Sequence, residues 1–218
     1  MNDWSSLYSR QLIPVVGSIF QAGCRADKRS VIRQIGQTPF MPNYRRNRIP
    51  GGTYFFTVNL LERKSSLLIE HIAELREAVR VIREKQPFHI DAWVALPDHM
   101  HAIWTLPAGD DQYSNRWRAI KKAFSKAIPK TEYRSAIRIK RHERGVWQRR
   151  FWEHTIIDDA DYVAHMDYIH YNPVKHGWAV TVKDWPYSSF HRLVKMDIYP
   201  LNWAGLDLPL LEVGEPEN

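Results

Sequence analysis

Pro97-Asp98-His99-Met100-His101-Ala102-Ile103-Trp104 puts two imidazoles two residues apart at the head of an apolar run. Successive side chains of an extended strand point to opposite faces. His99 and His101 therefore share a face, and Met100 takes the other. Two neutral imidazoles side by side make half of a divalent-metal site. They suit Zn, Mn or Ni, and Mg where carboxamide, phosphate and water complete the shell. A second stretch, Asp167-Tyr168-Ile169-His170-Tyr171-Asn172-Pro173, offers Tyr168 and, four residues on, Asn172. On a helix these two lie a turn apart on one face. A phenol, with an ordinary pKa of about 10, is a weak nucleophile at neutral pH and needs help. A metal supplies that help by orienting a phosphate and stabilising the departing oxyanion. A carboxamide at Asn172 adds a ligand without adding negative charge beside the phosphate. Together the residues point to metal-assisted attack by a tyrosine on a phosphodiester. Tyr162 and Tyr171 lie in or beside the same segment and stand as alternatives to Tyr168. Pro173 is expected to push Asn172 away from α geometry.

A phosphodiester substrate fits the charge. The net charge of +7 favours a polyanionic partner, nucleic acid first and an anionic membrane surface second. Thirteen Lys and Arg fall between Arg116 and Arg150, against only Glu132 and Glu143. Arg116, Arg118, Lys121, Lys122, Arg149 and Arg150 are the predicted phosphate-tracking residues. Trp152, with Trp147 and Phe151, lies among these charges as a base-stacking platform would. Trp104 and Trp117 are read as core. Arg45, Arg46 and Arg48 form a second basic cluster suited to an arm. The single Cys24 excludes an internal disulfide framework and a Cys-rich zinc site. No uncharged apolar run reaches the length of a membrane span, so no membrane partner is expected.

The elements that must position these groups begin at Gly51-Gly52. Thr53 to Leu60 is β-branched and aromatic and reads as a strand. His71 to Lys85 carries Ile72, Leu75, Val79 and Ile82 at helical spacing, and Pro87 ends it. Phe88–Leu96 and Asp98–Leu106 read as strands joined in an antiparallel hairpin through Pro97-Asp98. Ser114 is the expected cap of a helix over Asn115–Ile128. Residues 129–145 read as a loop or frayed helix, and Gly145–Ile157 as a fourth strand. Asp158 or Asp159 caps a last helix from about Ala160 to Tyr171, which Pro173 and Gly177 terminate. The expected fold is α+β and ferredoxin-like (RRM-like): a four-stranded antiparallel sheet with helices packed on one face, plus a helix carrying the tyrosine. Residues 41–177 are the expected catalytic domain and 178–218 a tail that wraps it. Residues 1–40 are expected to be a peripheral or non-native leader. Their apolar stretch Leu12–Phe20 before Cys24 faintly resembles an export signal, while the patterning that starts at Met41 suits Met41 as the natural start.

Three stretches together resemble one family. They are Leu96-Pro97-Asp98-His99-Met100-His101, Trp147-Gln148-Arg149-Arg150-Phe151-Trp152-Glu153-His154 and Tyr168-Ile169-His170-Tyr171-Asn172-Pro173-Val174-Lys175. The chain resembles the REP-associated tyrosine transposases, a branch of the single-tyrosine HUH (His-hydrophobic-His) transposases, over roughly residues 41–203. The resemblance implies a ferredoxin-like fold with both histidines on a central strand. It implies a divalent metal, Mg or Mn, on His99 and His101, with Tyr168 as nucleophile and Asn172 in the place of the third ligand. It also implies cleavage and rejoining of single-stranded DNA at repetitive extragenic palindromic hairpins through a 5′-phosphotyrosine. Such an enzyme would be cytoplasmic and nucleoid-associated in a bacterium, and a monomer or homodimer. A hairpin DNA- or RNA-binding regulator that does not cleave is the alternative.

Overall fold

Both faces of Thr53-Tyr54-Phe55-Phe56-Thr57-Val58-Asn59 are apolar enough to be buried, and this segment becomes the inner strand β1 (Thr53–Asn59). The computed structural model describes residues 46–205. The chain divides into Met1–Arg46 and Asn47–Asn218, and the second unit is the one described below. The expectations for residues 1–40 and for Arg45 fall outside the described residues.

β1 pairs antiparallel with β3 (His99–Thr105) and β4 (Trp152–Thr155), and β2 (His89–Ala95) pairs with β3. The strand order β2-β3-β1-β4 is that of the expected ferredoxin-like sheet. β2 and β3 join through Leu96-Pro97-Asp98, closed by the Leu96 N–H donating to the His99 carbonyl at 2.8 Å.

Strand alternation sorts the side chains into two cores. Tyr54, Phe56, Met100, Ala102 and Trp104 face α3 (Tyr113–Ala127), where Trp104 stacks on Trp117 with centroids 4.0 Å apart. Both indoles are fully buried, as expected. α2 (Ile72–Lys85), preceded by the short α1 (Leu67–Glu70), packs along α3 through its apolar stripe. The opposite face carries Phe55, Thr57, Val94, His99, His101 and Ile103. It is covered by α5 (Asp159–Lys175) and the segment that follows, including Met166, Tyr168, Ile169, Trp185 and Phe190. A one-residue slip in β3 would send both histidines into the α2/α3 core.

Three local expectations differ from the structure. α3 starts at Tyr113 with Gln112 at its N-cap, so Ser114 lies inside the helix and is not the cap. Residues 129–145, expected as a loop or frayed helix, are loop around the short α4 (Ala136–Lys140). β4 spans only Trp152–Thr155, because Trp147 makes a single bridge to Leu60 and the ladder then opens where Arg149 and Arg150 turn to solvent. α5 continues through Pro173 to Lys175. The proline forfeits one backbone hydrogen bond, but its ring is buried in the core. The helix ends two residues later, where Gly177 adopts φ +70°. There the Gly177 N–H donates to Val174 (3.0 Å) and the Trp178 N–H to Pro173 (2.8 Å), the two bonds of a Schellman end. Asn172 therefore keeps helical geometry.

Beyond α5 the chain returns along the outer edge of β2. Ser188 bridges Val94, the Ala95 N–H donates to Tyr187 at 2.9 Å and the Ser189 N–H to Trp93 at 2.8 Å. This covers an otherwise open strand edge. The short α6 (Phe190–Val194) follows, and Tyr199 donates to the Asp167 carboxylate of α5. No helix among the described residues is long and apolar enough to cross a membrane.

His170 lies in the core beneath this segment, with Nε2 3.1 Å from Ser189 Oγ. Burial, aided by the Arg192 charge, pushes its imidazole down from 6.5 to about 3. The unfolded chain takes up a proton near pH 6.5 that the folded chain refuses until about pH 3. Acidification across that window therefore favours unfolding, by up to about 1.4 kcal/mol per pH unit for this group. Urea unfolding measured at successive pH values should show stability falling below pH 6.5, with a shallower slope in His170→Gln. An unchanged slope would refute the assignment.

Candidate active site

The β1–β3 register sets Asn59 opposite His99 and Thr57 opposite His101. Both histidines are buried, and their rings meet edge to face with centroids 5.0 Å apart. Each ring is fixed through Nδ1. That of His99 lies 2.7 Å from Asp98 Oδ1, and that of His101 lies 3.0 Å from Thr57 Oγ1. With each Nδ1 engaged, Nε2 is the nitrogen through which either ring could coordinate a metal. This is the outer-shell pattern by which proteins orient imidazole ligands.

Asp98 is held in turn by Arg63, whose Nε lies 2.9 Å from its carboxylate and whose guanidinium also donates to Asn59 Oδ1 at 2.5 Å. Burial opposes ionisation of Asp98, but the His99 bond and the Arg63 charge outweigh it and hold the carboxyl below its ordinary value. The carboxylate stays anionic and accepts the His99 N–H.

α5 lays a stripe of residues across this pair. The Tyr168 ring meets His101 edge-on with centroids 5.4 Å apart, and the His176 ring, two turns later, meets His99 at 5.4 Å. Asn172 lies between them on the same stripe, fully buried. Residues four apart on a helix are neighbours, so Tyr168, Asn172 and His176 follow the direction of β3 from His101 to His99. Tyr162 and Tyr171 take other places: the Tyr162 hydroxyl bonds Asp91 at 3.2 Å, and Tyr171 packs under Gly205.

Lys175 completes the arrangement. Its Nζ donates to the Tyr168 hydroxyl at 2.8 Å and stands 4.7 Å from the ring centroid. This bond fixes the position of the Tyr168 oxygen beside the His101 ring.

No protein-family model matches the chain. It is 50% identical over 175 residues to the REP-associated tyrosine transposase of Escherichia coli, covering 80% of this chain and 98% of that protein. The chain belongs to the REP-associated tyrosine transposases. A Haemophilus influenzae relative carrying the same family name is 51% identical over 167 residues, covering 76% of this chain and 94% of its own. The solved structure of a REP-associated tyrosine transposase bound to a REP hairpin matches with a TM-score of 0.72 at 49% identity, over 82% of this chain and 99% of its own. The fold expected from the transposase motifs is therefore the fold found, and the chain is of the tyrosine transposase class.

The basic residues of this transposase divide into two kinds. Arg118, Lys122, Arg149 and Arg150 are exposed, as is Arg48. Arg149 pairs with Glu143 at 2.9 Å. Lys121 is half-buried, donating to the Gln148 carbonyl at 3.1 Å beneath the Trp147 and Phe151 rings. Arg46 is also half-buried. Trp152 sits partly in the core, edge-on to Phe55 at 5.9 Å. Arg116 corrects the expectation of a phosphate contact. Only 2% exposed, it pairs with Asp110 at 2.5 Å and donates to the Gln86 and Pro87 carbonyls. It ties α3 to the end of α2, because its position on the inner face of α3 leaves its head group no route to solvent.

Asp98, Thr57, Arg63 and Lys175 were absent from the sequence-based site. Thr57 and Arg63 depend on strand register, which the sequence does not announce. Lys175 does carry a signal, since it stands seven residues after Tyr168, two turns along one face. That signal counts only if the helix survives Pro173.

Arg116→Ala should cost about 2–3 kcal/mol in urea unfolding, because it strips charged hydrogen bonds from the Gln86 and Pro87 carbonyls and from Asp110. Arg118→Ala and Lys122→Ala should stay within about 0.5 kcal/mol of the parent chain. Equal costs at the three positions would contradict this division.

Proposed function

We propose that this transposase cleaves and rejoins single-stranded DNA beside a hairpin, with Tyr168 as nucleophile. The observation that carries the reading is the placement of one phenol oxygen, bonded to Lys175 while its ring lies against His101. The REP hairpin bound by the solved relative supports a hairpin as substrate. The exposed Arg48, Arg118, Lys122, Arg149 and Arg150 would contact its phosphates. Such a substrate would put the enzyme with the bacterial chromosome in the cytoplasm.

In the forward step the Tyr168 oxygen bonds to the scissile phosphorus and the bond to the 3′ oxygen breaks. The strand on the 5′-phosphate side remains on the tyrosine, and the other strand leaves with a 3′-hydroxyl. The proton lost by the phenol balances the one gained by the 3′ oxygen. Attack by a 3′-hydroxyl on the phosphotyrosine reverses the step, so bond energy is conserved and no nucleotide triphosphate is consumed. Lys175 stabilises the phenolate before attack and again as Tyr168 leaves.

His99, His101 and Asn172 would hold a divalent cation. Two oriented neutral imidazoles and a carboxamide fit Mg or Mn, with water and phosphate oxygens filling the shell. When bound, the cation supplies Lewis-acid polarisation of the phosphate and charge neutralisation at the departing oxygen. Asp98 and Thr57 keep the two rings turned toward that position. Arg63 keeps Asp98 in place.

A labelled hairpin oligonucleotide with a single-stranded flank, incubated with protein and Mn, should yield a covalent adduct. Tyr168→Phe should abolish it, and His99→Ala should abolish cleavage while sparing most binding. An adduct that survives Tyr168→Phe would overturn the nucleophile assignment. Binding without any adduct would favour the non-cleaving regulator instead.

Lys175→Met should lower the rate of adduct formation on the order of a hundredfold with little change in hairpin affinity. A Lys175→Met rate equal to the parent's would remove Lys175 from the mechanism.

A further inference from the structure

The start of α5 carries a second constellation that the tyrosine chemistry does not use. Asp161 and His165 stand one turn apart on the helix, and His154 faces them from β4. The His154 Nε2 lies 2.8 Å from Asp161 Oδ2, and the His165 Nδ1 lies 2.9 Å from Asp161 Oδ1. The two imidazoles stack at 4.6 Å with their planes 14° apart. One donor atom from each of the three residues falls within 4.8 Å of the others.

Several features suit these groups to a cation. Asp161 Oδ2 also accepts the Ile157 N–H at 2.9 Å, and the Asp161 N–H donates to Asp158 at 2.8 Å, so the carboxylate is oriented from behind. The His165 side chain is 3% exposed, Asp161 14% and His154 32%, which leaves an approach on the His154 side. Burial above all, with the neighbouring His154, lowers the His165 pKa and favours the neutral ring. Burial of Asp161 works against its ionisation, but the bonds from His154 and the Ile157 N–H prevail and keep it anionic. A neutral imidazole and an ionised carboxylate are the forms that bind metal.

The cluster is separate from the His99–His101 pair. The Phe55 ring stands between them, 5.4 Å from His101 and 4.7 Å from His165.

We propose that His154, Asp161 and His165 form a second divalent-metal site, of the transition-metal class typified by zinc, that clamps β4 to the first turns of the tyrosine helix. Two nitrogen donors and one carboxylate suit zinc and its neighbours better than magnesium. The ion takes the lone pairs of His154 Nε2, His165 Nδ1 and one Asp161 oxygen, and each ring keeps its proton on the other nitrogen. Water from the His154 side fills the fourth position. Metal entry displaces the hydrogen bonds to Asp161, including the 2.9 Å contact between His165 Nδ1 and the Asp161 carbonyl. This inference stands apart from the cleavage chemistry.

The test uses the full chain carrying His99→Ala and His101→Ala, freed of metal by chelation and titrated with Co²⁺. One ion should bind per chain and give the visible absorption of a four-coordinate nitrogen–oxygen site. Zn²⁺ should displace it and raise the Tm. Adding His154→Ala or His165→Ala should abolish both the absorption and the metal-dependent rise in Tm. Asp161→Asn should weaken binding at least tenfold. Circular dichroism of each metal-free variant checks folding, and His154→Gln, at the most exposed of the three positions, serves should His154→Ala not fold. Absence of Co²⁺ binding in the His99→Ala/His101→Ala chain would show a hydrogen-bonded triad only and overturn the proposal. So would binding that persists without His154 and His165.

Discussion

Two imidazoles in the dry interior of a protein must each be given a partner, and the rest of the site follows from how this is done. A buried polar group without a hydrogen bond costs more than one bond returns. Here each Nδ1 has its own oxygen, Thr57 for His101 and Asp98 for His99. Those bonds set the rotation of the rings. They require β1 to pair with β3 in one register, because a shift of one residue would move Thr57 to the other face. A common core of Phe55, Ile103 and Val94 beneath α5 keeps the strands in that register.

The same sheet face then decides where the tyrosine goes. α5 is neither strongly amphipathic nor entirely apolar, and its buried side includes His165, Tyr168, His170 and Asn172. Those polar groups can be buried only where partners wait. Asp161 meets His154 of β4 and His170 meets Ser189, so the helix has few alternative rotations. The returning segment fixes it from behind, through the β2 edge and the Tyr199–Asp167 bond. A tyrosine held this way depends on long-range contacts at both ends of its helix, which suits the proposed role of placing one oxygen in line with a phosphate.

The basic character of the chain is less uniform than its composition suggests. Arg116 and Arg144 are drawn inward by Asp110 and Glu132, together with backbone carbonyls. They hold the α2/α3 layer and the loop around α4. Arg118, Lys122, Arg149 and Arg150 keep their charges in solvent. Charge alone cannot separate these groups, since a guanidinium can either neutralise a carboxylate at the end of a helix or remain in water.

Much of this protein was legible in one dimension. The β-branched and aromatic run of β1 and the apolar run of β3 gave strands, the spacing of Leu75, Val79 and Ile82 gave α2, and the order of elements gave the sheet. The spacing of His99 and His101 placed both on one side of a strand before any fold was known. Local stereochemistry sets these patterns, so the sequence carries them. Cross-strand register, the path of α5 and the fate of each arginine were decided only in three dimensions. Pro173 marks the boundary most clearly. By local rules it should have ended the helix near Tyr171, which would have left Lys175 out of reach of Tyr168. Burial of the proline ring and the Gly177 turn outweighed one missing hydrogen bond, and that tertiary balance brought the ammonium to the phenol.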